Sequence, residues 1–329
     1  MGLYRYSLAI LVLLSHCGIS FYGYNQGVIA VVSFFLISGY VITLLIKKHY
    51  NKKTDILYFY ADRALRLFPQ FILYLVITSL FLIYYGEMSI VKDSTRLIVN
   101  ILMLPLNFFA VYNDSYIIVP QSWSLGLEMQ FYILFPIIIS FFSIKKWFIV
   151  SFIFFLVAYF NLINPDYYGY RMIAGTLFIF ILGGYLTNPP KNKNKIIFIY
   201  ILSVTFLLLS VVIRDVDNRI IEVLFGVVVG MPIVLFLARK DIRNKFDLLM
   251  GNLSYGVYLN HMFISLVLVK LGYDISKLST LILLILLSTS LSYISFSLIE
   301  KPIYKFRHLI RRNHDSYDSP KNPRQKSFQ

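Results

Sequence analysis

An apolar run near the start of the chain, Arg5-Tyr-Ser-Leu-Ala-Ile-Leu-Val-Leu-Leu-Ser-His16, begins on a guanidinium and ends on an imidazole. Helical geometry puts the two on nearly one face, roughly 16 Å apart along the axis. Ionisable groups inside a membrane helix are costly and mark functional sites by default. A neutral imidazole can take a proton from a hydroxyl near neutral pH, so His16 is the first catalytic candidate. The alternative is a histidine that only packs or hydrogen-bonds. Arg63-Ala-Leu-Arg66 places two guanidiniums on one helix face, suited to planar recognition of phosphate or, alternatively, to anchoring at a membrane surface. The block Gln121-Ser-Trp123-Ser124-Leu-Gly-Leu-Glu128-Met-Gln-Phe-Tyr carries a carboxylate inside an apolar segment. Glu128 could orient His16 or receive a proton, or form a structural ion pair with Arg96 or Arg171. His261, Glu300, Trp123 and Ser124 are further candidates, with a structural role open for His261 and Glu300. Cys17 could in principle carry an acyl group, but adjacent residues point about 100° apart on a helix, so it cannot share the orientation of His16.

The elements that must position these groups follow from the composition. The 329 residues are 58% hydrophobic and only 14% charged, with a mean hydropathy of +0.70. Such a chain is a polytopic, all-α membrane protein rather than a soluble domain. Its net charge of +15 lies in short loops and reads as membrane orientation, with no nucleic-acid partner implied. One cysteine excludes an internal disulfide framework. The N-terminus resembles a signal peptide, yet no small-x-small cleavage site follows, so a retained first helix is expected. Ten spans have adequate apolar length: roughly 5–22, 28–46, 68–85, 123–143, 147–163, 172–187, 196–213, 219–238, 253–271 and 278–299. A further piece, 97–111, contains Pro105 and reads as re-entrant or interfacial. With the N-terminus in the cytoplasm and alternating sides, 24 of the 31 Lys and Arg fall inside and 7 outside. That bias favours ten helices with both termini cytoplasmic. An integral-membrane domain over 1–312 and a disordered cytoplasmic tail over 313–329 are the expected divisions. Arg63 and Arg66 would then sit at the cytoplasmic entry to the third span, Glu128 about one turn inside the outer surface, and His261 near mid-membrane.

No zinc-type Cys/His spacing, nucleotide-binding loop or G-x-S-x-G elbow occurs, so neither a metal nor ATP is expected. The whole constellation resembles the membrane acyltransferase-3 family, which includes bacterial O-antigen and other surface-polysaccharide O-acetyltransferases. The likeness runs from Arg5 to Pro302. It rests on Arg5-x10-His16, on Phe34-Phe-Leu-Ile-Ser38-Gly39-Tyr, on Arg63-x-x-Arg66, on Trp123-Ser-Leu-Gly-Leu-Glu128-Met-Gln130-Phe-Tyr, on Ser254-Tyr-Gly-Val-Tyr-Leu-Asn-His261, and on Ile299-Glu300-Lys301-Pro302. Tyr6 departs from the glycine that often follows the first arginine in the family. The chain also ends without the extracellular esterase-like domain of some members, so a fused second transferase step is not expected. The resemblance implies a bacterial plasma (inner) membrane location, acetyl-CoA as cytosolic acyl donor, and a hydroxyl of a surface glycan as acceptor. It implies that Arg63 and Arg66, with Arg5, hold the CoA phosphates. His16 would be general base or transient acyl carrier, oriented by Glu128. The competing class is a multi-pass transporter or flippase of a lipid-linked sugar, which would not consume acetyl-CoA.

Overall fold

A computed structural model describes residues 1–50, 52–108, 116–212, 215–240 and 244–307. Helix α1, Gly2–His16, stops two residues before a glycine at φ +81°. Gly18 N–H donates to Ser15 O and Ile19 N–H to Leu14 O, the paired closure that a left-handed glycine permits. The expected first span, 5–22, is therefore shortened, because Gly18 ends the helix and Phe21 and Tyr24 pair across a tight turn. His16 becomes the last helical residue. Gly18→Ala is expected to destabilise the protein by about 1 kcal/mol, read as a lower thermal midpoint in detergent.

Helix α2, Gln26–His49, begins at Asn25, whose side chain accepts from Gly27 and Val28 N–H. The same Asn25 oxygen accepts from Ser15 Oγ at 2.7 Å, fastening the end of α1 to the start of α2. Helix α3, Ile56–Tyr84, starts well before the expected 68, so Arg63 and Arg66 lie within it. A short α4, Ser94–Leu102, covers part of the Pro105 piece, followed by a single tight helical turn at Leu106–Phe108. Then come α5, Trp123–Phe141; α6, Ile144–Tyr159; α7, Ile173–Tyr185; α8, Pro189–Val212; α9, Asn218–Arg239; α10, Lys245–Lys270; and α11, Leu278–Ser295, which runs on through wider turns. Among the described residues no strand forms beyond the isolated Phe21–Tyr24 bridge.

The chain is thus all-α and multi-pass. Among the described residues seven helices are long and apolar enough to cross a membrane: those over 26–49, 56–84, 120–141, 189–212, 218–239, 245–270 and 278–307. The other three expected spans find helices α1, α6 and α7 of 15, 16 and 13 residues. A buried helix need not reach the length of a lipid-exposed one, and α7 is enclosed over nearly its whole length. The expected tail at 313–329 lies outside the described residues.

Packing at the centre depends on backbones meeting without side chains between them. A Cβ on Gly39 of α2 would lie 1.9 Å from Phe180 O of α7, and one on Gly183 would lie 2.1 Å from Leu36 O. Small residues permit this approach, which drives helix association where hydrophobicity cannot. Beside the contact, Phe180 stacks on Phe35 and on Phe131 of α5 with ring centres 4.7 and 4.2 Å apart. At one end of the bundle the start of α1 meets the start of α10, where Asp247 accepts from Gly2 and Leu3 N–H at 2.9 Å. The start of α3 meets the continuation of α11 at this same end through ion pairs.

Candidate active site

The bundle forms two half-open chambers. The first spans about 870 Å³, its open mouth included, and is lined by Arg5, Arg63, Arg66, Glu128, Ser38, Tyr132 and their apolar neighbours. The second spans about 560 Å³, likewise with its mouth, and is lined by His16, Asn25, Trp123, Tyr170, Arg171 and Arg219 among others. Val31 of α2 and Tyr258 of α10 line both. One face of α1 therefore carries a guanidinium into one chamber and an imidazole into the other, as the spacing of Arg5 and His16 predicts.

In the first chamber the arginines are not equivalent. Arg63 donates to Asp62 through Nε at 3.0 Å and pairs with it again through its terminal nitrogen. Asp62 is 1% exposed and also accepts from Arg307 Nε at 2.9 Å. Arg66 is ion-paired with Glu300 and stacks over the Tyr255 ring at 5.0 Å. Among the described residues the Arg5 side chain makes no hydrogen bond or ion pair. Among the described residues three carboxylates, Asp62, Glu128 and Glu300, face the four cations Arg5, Arg63, Arg66 and Arg307. Arg5 is the arginine whose fork is open: Glu128 attracts it across the chamber without a hydrogen bond. Arg63 and Arg66 are built into a chamber wall, Arg63 by the buried Asp62 and Arg66 by the partly buried Glu300, a placement that surface anchoring, their alternative reading, does not require.

Glu128 is placed differently from the expectation. Its Oε1 accepts from Ser38 Oγ and from Tyr132 OH, each at 2.5 Å, and it lines the arginine chamber. The partner of His16 is His261, with His16 Nδ1 2.8 Å from His261 Nε2 and ring centres 5.1 Å apart. The structural ion pair with Arg96 or Arg171 is not formed either: Arg171 pairs with Asp166 and Arg96 with Asp93. The reason is depth. Pro120–Ser122 make a separate tight turn before α5, and Ser38 lies midway down α2, so Glu128 sits below the imidazole's level.

His261 is 1% exposed, and its Nδ1 lies 3.0 Å from Val257 O. His16 is exposed to its chamber. Around it, Trp123 packs edge-on against Tyr170 at 4.9 Å, and Arg171 lies over the Trp123 ring at 4.7 Å. Asp166 pairs with both Arg171 and Arg219 at 2.7 Å, and Glu222 accepts from Arg219 at 2.9 Å and from Asn25 N–H at 2.7 Å. This chamber is polar, and among the described residues two carboxylates stand against two guanidiniums. Ser124 Oγ is 2.6 Å from Tyr258 OH, on the partition between the chambers. Cys17 follows His16 outside the helix.

Sequence reasoning therefore finds Arg5, His16, Arg63, Arg66, Glu128, Trp123, Ser124, His261 and Glu300 in or against two adjoining chambers. It misses Asp62, Arg307, Tyr258 and the Asp166–Arg171–Arg219–Glu222 cluster. Asp62 was detectable as an acid beside Arg63 in an apolar run, whereas Arg307 is one of eight basic residues over 301–329 and carries no local signal.

Fold and site together define a multi-pass membrane protein with a cationic and a histidine-bearing chamber. A family model described as an acyltransferase domain, Acyl_transf_3, matches residues 3–297, and the chain belongs to that family. It is similar to the O-acetyltransferase OatA of Staphylococcus aureus (strain NCTC 8325 / PS 47), 28% identical over 323 residues that cover 85% of this chain and 53% of the relative. It is also similar to an uncharacterized protein of Aquifex aeolicus (strain VF5), 33% identical over 202 residues, 59% of this chain and 91% of that one. The chain spans about half the length of the OatA relative. No solved structure matches it.

Proposed function

We propose that the chain is a membrane O-acetyltransferase. It moves an acetyl group from cytosolic acetyl-CoA to a hydroxyl of a cell-surface polysaccharide or its lipid-linked precursor, in the bacterial inner membrane. The observation that carries this reading is the pair of chambers that share Val31 and Tyr258 as walls, one with a guanidinium whose fork is open and the other with an accessible imidazole. Family membership and the O-acetyltransferase name of the OatA relative support the class of reaction. The 24-to-7 distribution of Lys and Arg supports ten spans with both termini in the cytoplasm, which puts the arginine chamber on the donor's side.

In this reading Arg5 makes the primary contact with the CoA phosphates. Arg63 and Arg66, held in place by Asp62 and Glu300, shape the wall around it. The thioester reaches the partition at Tyr258, and the acceptor hydroxyl enters the chamber beside His16. His16 takes the hydroxyl proton as the oxygen attacks the thioester carbonyl. The new C–O bond forms, the C–S bond breaks, and the proton passes from the imidazolium to the departing thiolate. Glu128, bonded to Ser38 and Tyr132, belongs to the donor side and offsets charge there.

Membranes containing the protein, supplied with radiolabelled acetyl-CoA and an extract of the host's surface glycans, should place label in base-labile ester on polysaccharide. Folded protein that transfers no label overturns the reading and favours transport of a lipid-linked sugar. Within the same assay, Arg5→Gln is expected to raise KM for acetyl-CoA by roughly 10- to 100-fold. That is the worth of one charge-assisted hydrogen-bond set, about 1.5–3 kcal/mol. A KM equal to wild type removes Arg5 from the donor site.

A further inference from the structure

The two buried-ring contacts of His261 fix where the protons of the histidine pair must lie. Val257 O is a carbonyl and can only accept, so the ring atom 3.0 Å from it, His261 Nδ1, carries a hydrogen. No carboxylate is hydrogen-bonded to either ring among the described residues, so nothing present holds this pair as a cation. A neutral His261 with its hydrogen on Nδ1 offers a bare Nε2. The atom 2.8 Å from that lone pair is His16 Nδ1, which must then be the donor. A neutral His16 with hydrogen on Nδ1 has its lone pair on Nε2, the nitrogen that has no hydrogen-bond partner among the described residues.

We propose that His261 is the positioning residue of the site: it holds His16 as the Nδ1–H tautomer, so that Nε2 faces the chamber as a base. Val257, one helical turn earlier on α10, in turn sets the tautomer of His261. The relay of backbone carbonyl, His261 and His16 replaces the carboxylate that usually orients a catalytic imidazole. An uncharged orienter has a consequence. When His16 takes a proton at Nε2, the resulting imidazolium keeps its Nδ1–H bond to a neutral acceptor, so it is held in place without being trapped by an opposite charge. The proton therefore remains available for the next step.

This inference deepens the proposed function, and its first test does not depend on activity. The protein, labelled with 15N-histidine and placed in lipid nanodiscs, has five histidines, and His16→Ala and His261→Phe identify the two resonances. In wild type, Nδ1 of His16 should show a protonated, pyrrole-type shift and Nε2 an unprotonated, pyridine-type shift. Wild-type His16 with its hydrogen on Nε2 overturns the proposal. The correct tautomer without any acetyl transfer would instead count against the proposed function alone. A second test uses kinetics. His261→Phe should lower kcat on the order of 10- to 100-fold while KM for acetyl-CoA stays near wild type, because the donor chamber is untouched. His261→Gln, whose amide oxygen can accept from Nδ1–H, should restore part of the loss. Equal defects in the Phe and Gln variants, with KM and kcat changing together, would assign His261 a packing role and overturn the proposal.

Discussion

Replacing His16 with alanine should reduce acetyl transfer by at least the roughly 10²–10⁴-fold that a general base contributes, without removing the protein from the membrane. The imidazole is exposed to its chamber rather than packed in the core, so its loss leaves no sealed cavity. The helix is closed after it by Gly18 and fastened through Ser15 and Asn25, none of which needs the ring. The cost to the fold is the unpaired Nε2 of His261, about 1–3 kcal/mol when left unsatisfied, and solvent in the chamber can reach the vacated position. Quantities of wild-type and His16→Ala protein extracted from membranes should therefore agree, while the labelled ester disappears. Transfer by His16→Ala within a few-fold of wild type would remove the histidine from the chemistry.

Gly39→Ala should have a large effect on the fold. The added methyl would lie 1.9 Å from a backbone oxygen of α7 and 2.7 Å from the carbonyl carbon. No side-chain rotation relieves a clash between two helix backbones, so α2 and α7 must separate. Overfilling a packed core costs about 1–3 kcal/mol, occasionally more; this site belongs at the upper end because both neighbours are rigid. Separation also disturbs the Phe35–Phe180–Phe131 stack. Ser38→Ala provides the contrast. It removes a hydrogen bond to Glu128 but adds no volume, so it should leave thermal stability in detergent near wild type and alter activity instead. A Gly39→Ala protein as stable as wild type would show that α2 and α7 do not meet closely. The Phe-Phe-Leu-Ile-Ser-Gly motif thus contains two unrelated requirements on adjacent residues: a polar contact to the site and a backbone approach.

Several features follow from the chain alone. Apolar runs separated by basic loops dictate a helical membrane protein, because every backbone polar group in a bilayer must be satisfied within its own segment. The eleven-residue interval between Arg5 and His16 places both on one face, since helical periodicity is local. The chemistry of arginines, histidines and an acid in apolar surroundings is likewise legible, because an ionisable residue in such a segment stands out against its neighbours.

Other features required the assembled bundle. Which helices reach the length of a membrane span depends on enclosure: α7 can be short because its neighbours surround it. The partner of His16 could not be read from spacing, since His261 lies 245 residues away and a carboxylate was the chemically obvious choice. Its assignment depends on the rotation and depth of α10 against α1, and on α5 starting after a separate turn that lowers Glu128 into the other chamber. That Arg63 and Arg66 have engaged forks while Arg5 has an open one also emerges only when Asp62, Glu300 and Arg307 are brought together from both halves of the sequence. Local patterns record what each segment needs from its surroundings; charge compensation and ring-to-ring hydrogen bonds are properties of pairs, and only the tertiary structure decides which pairs form.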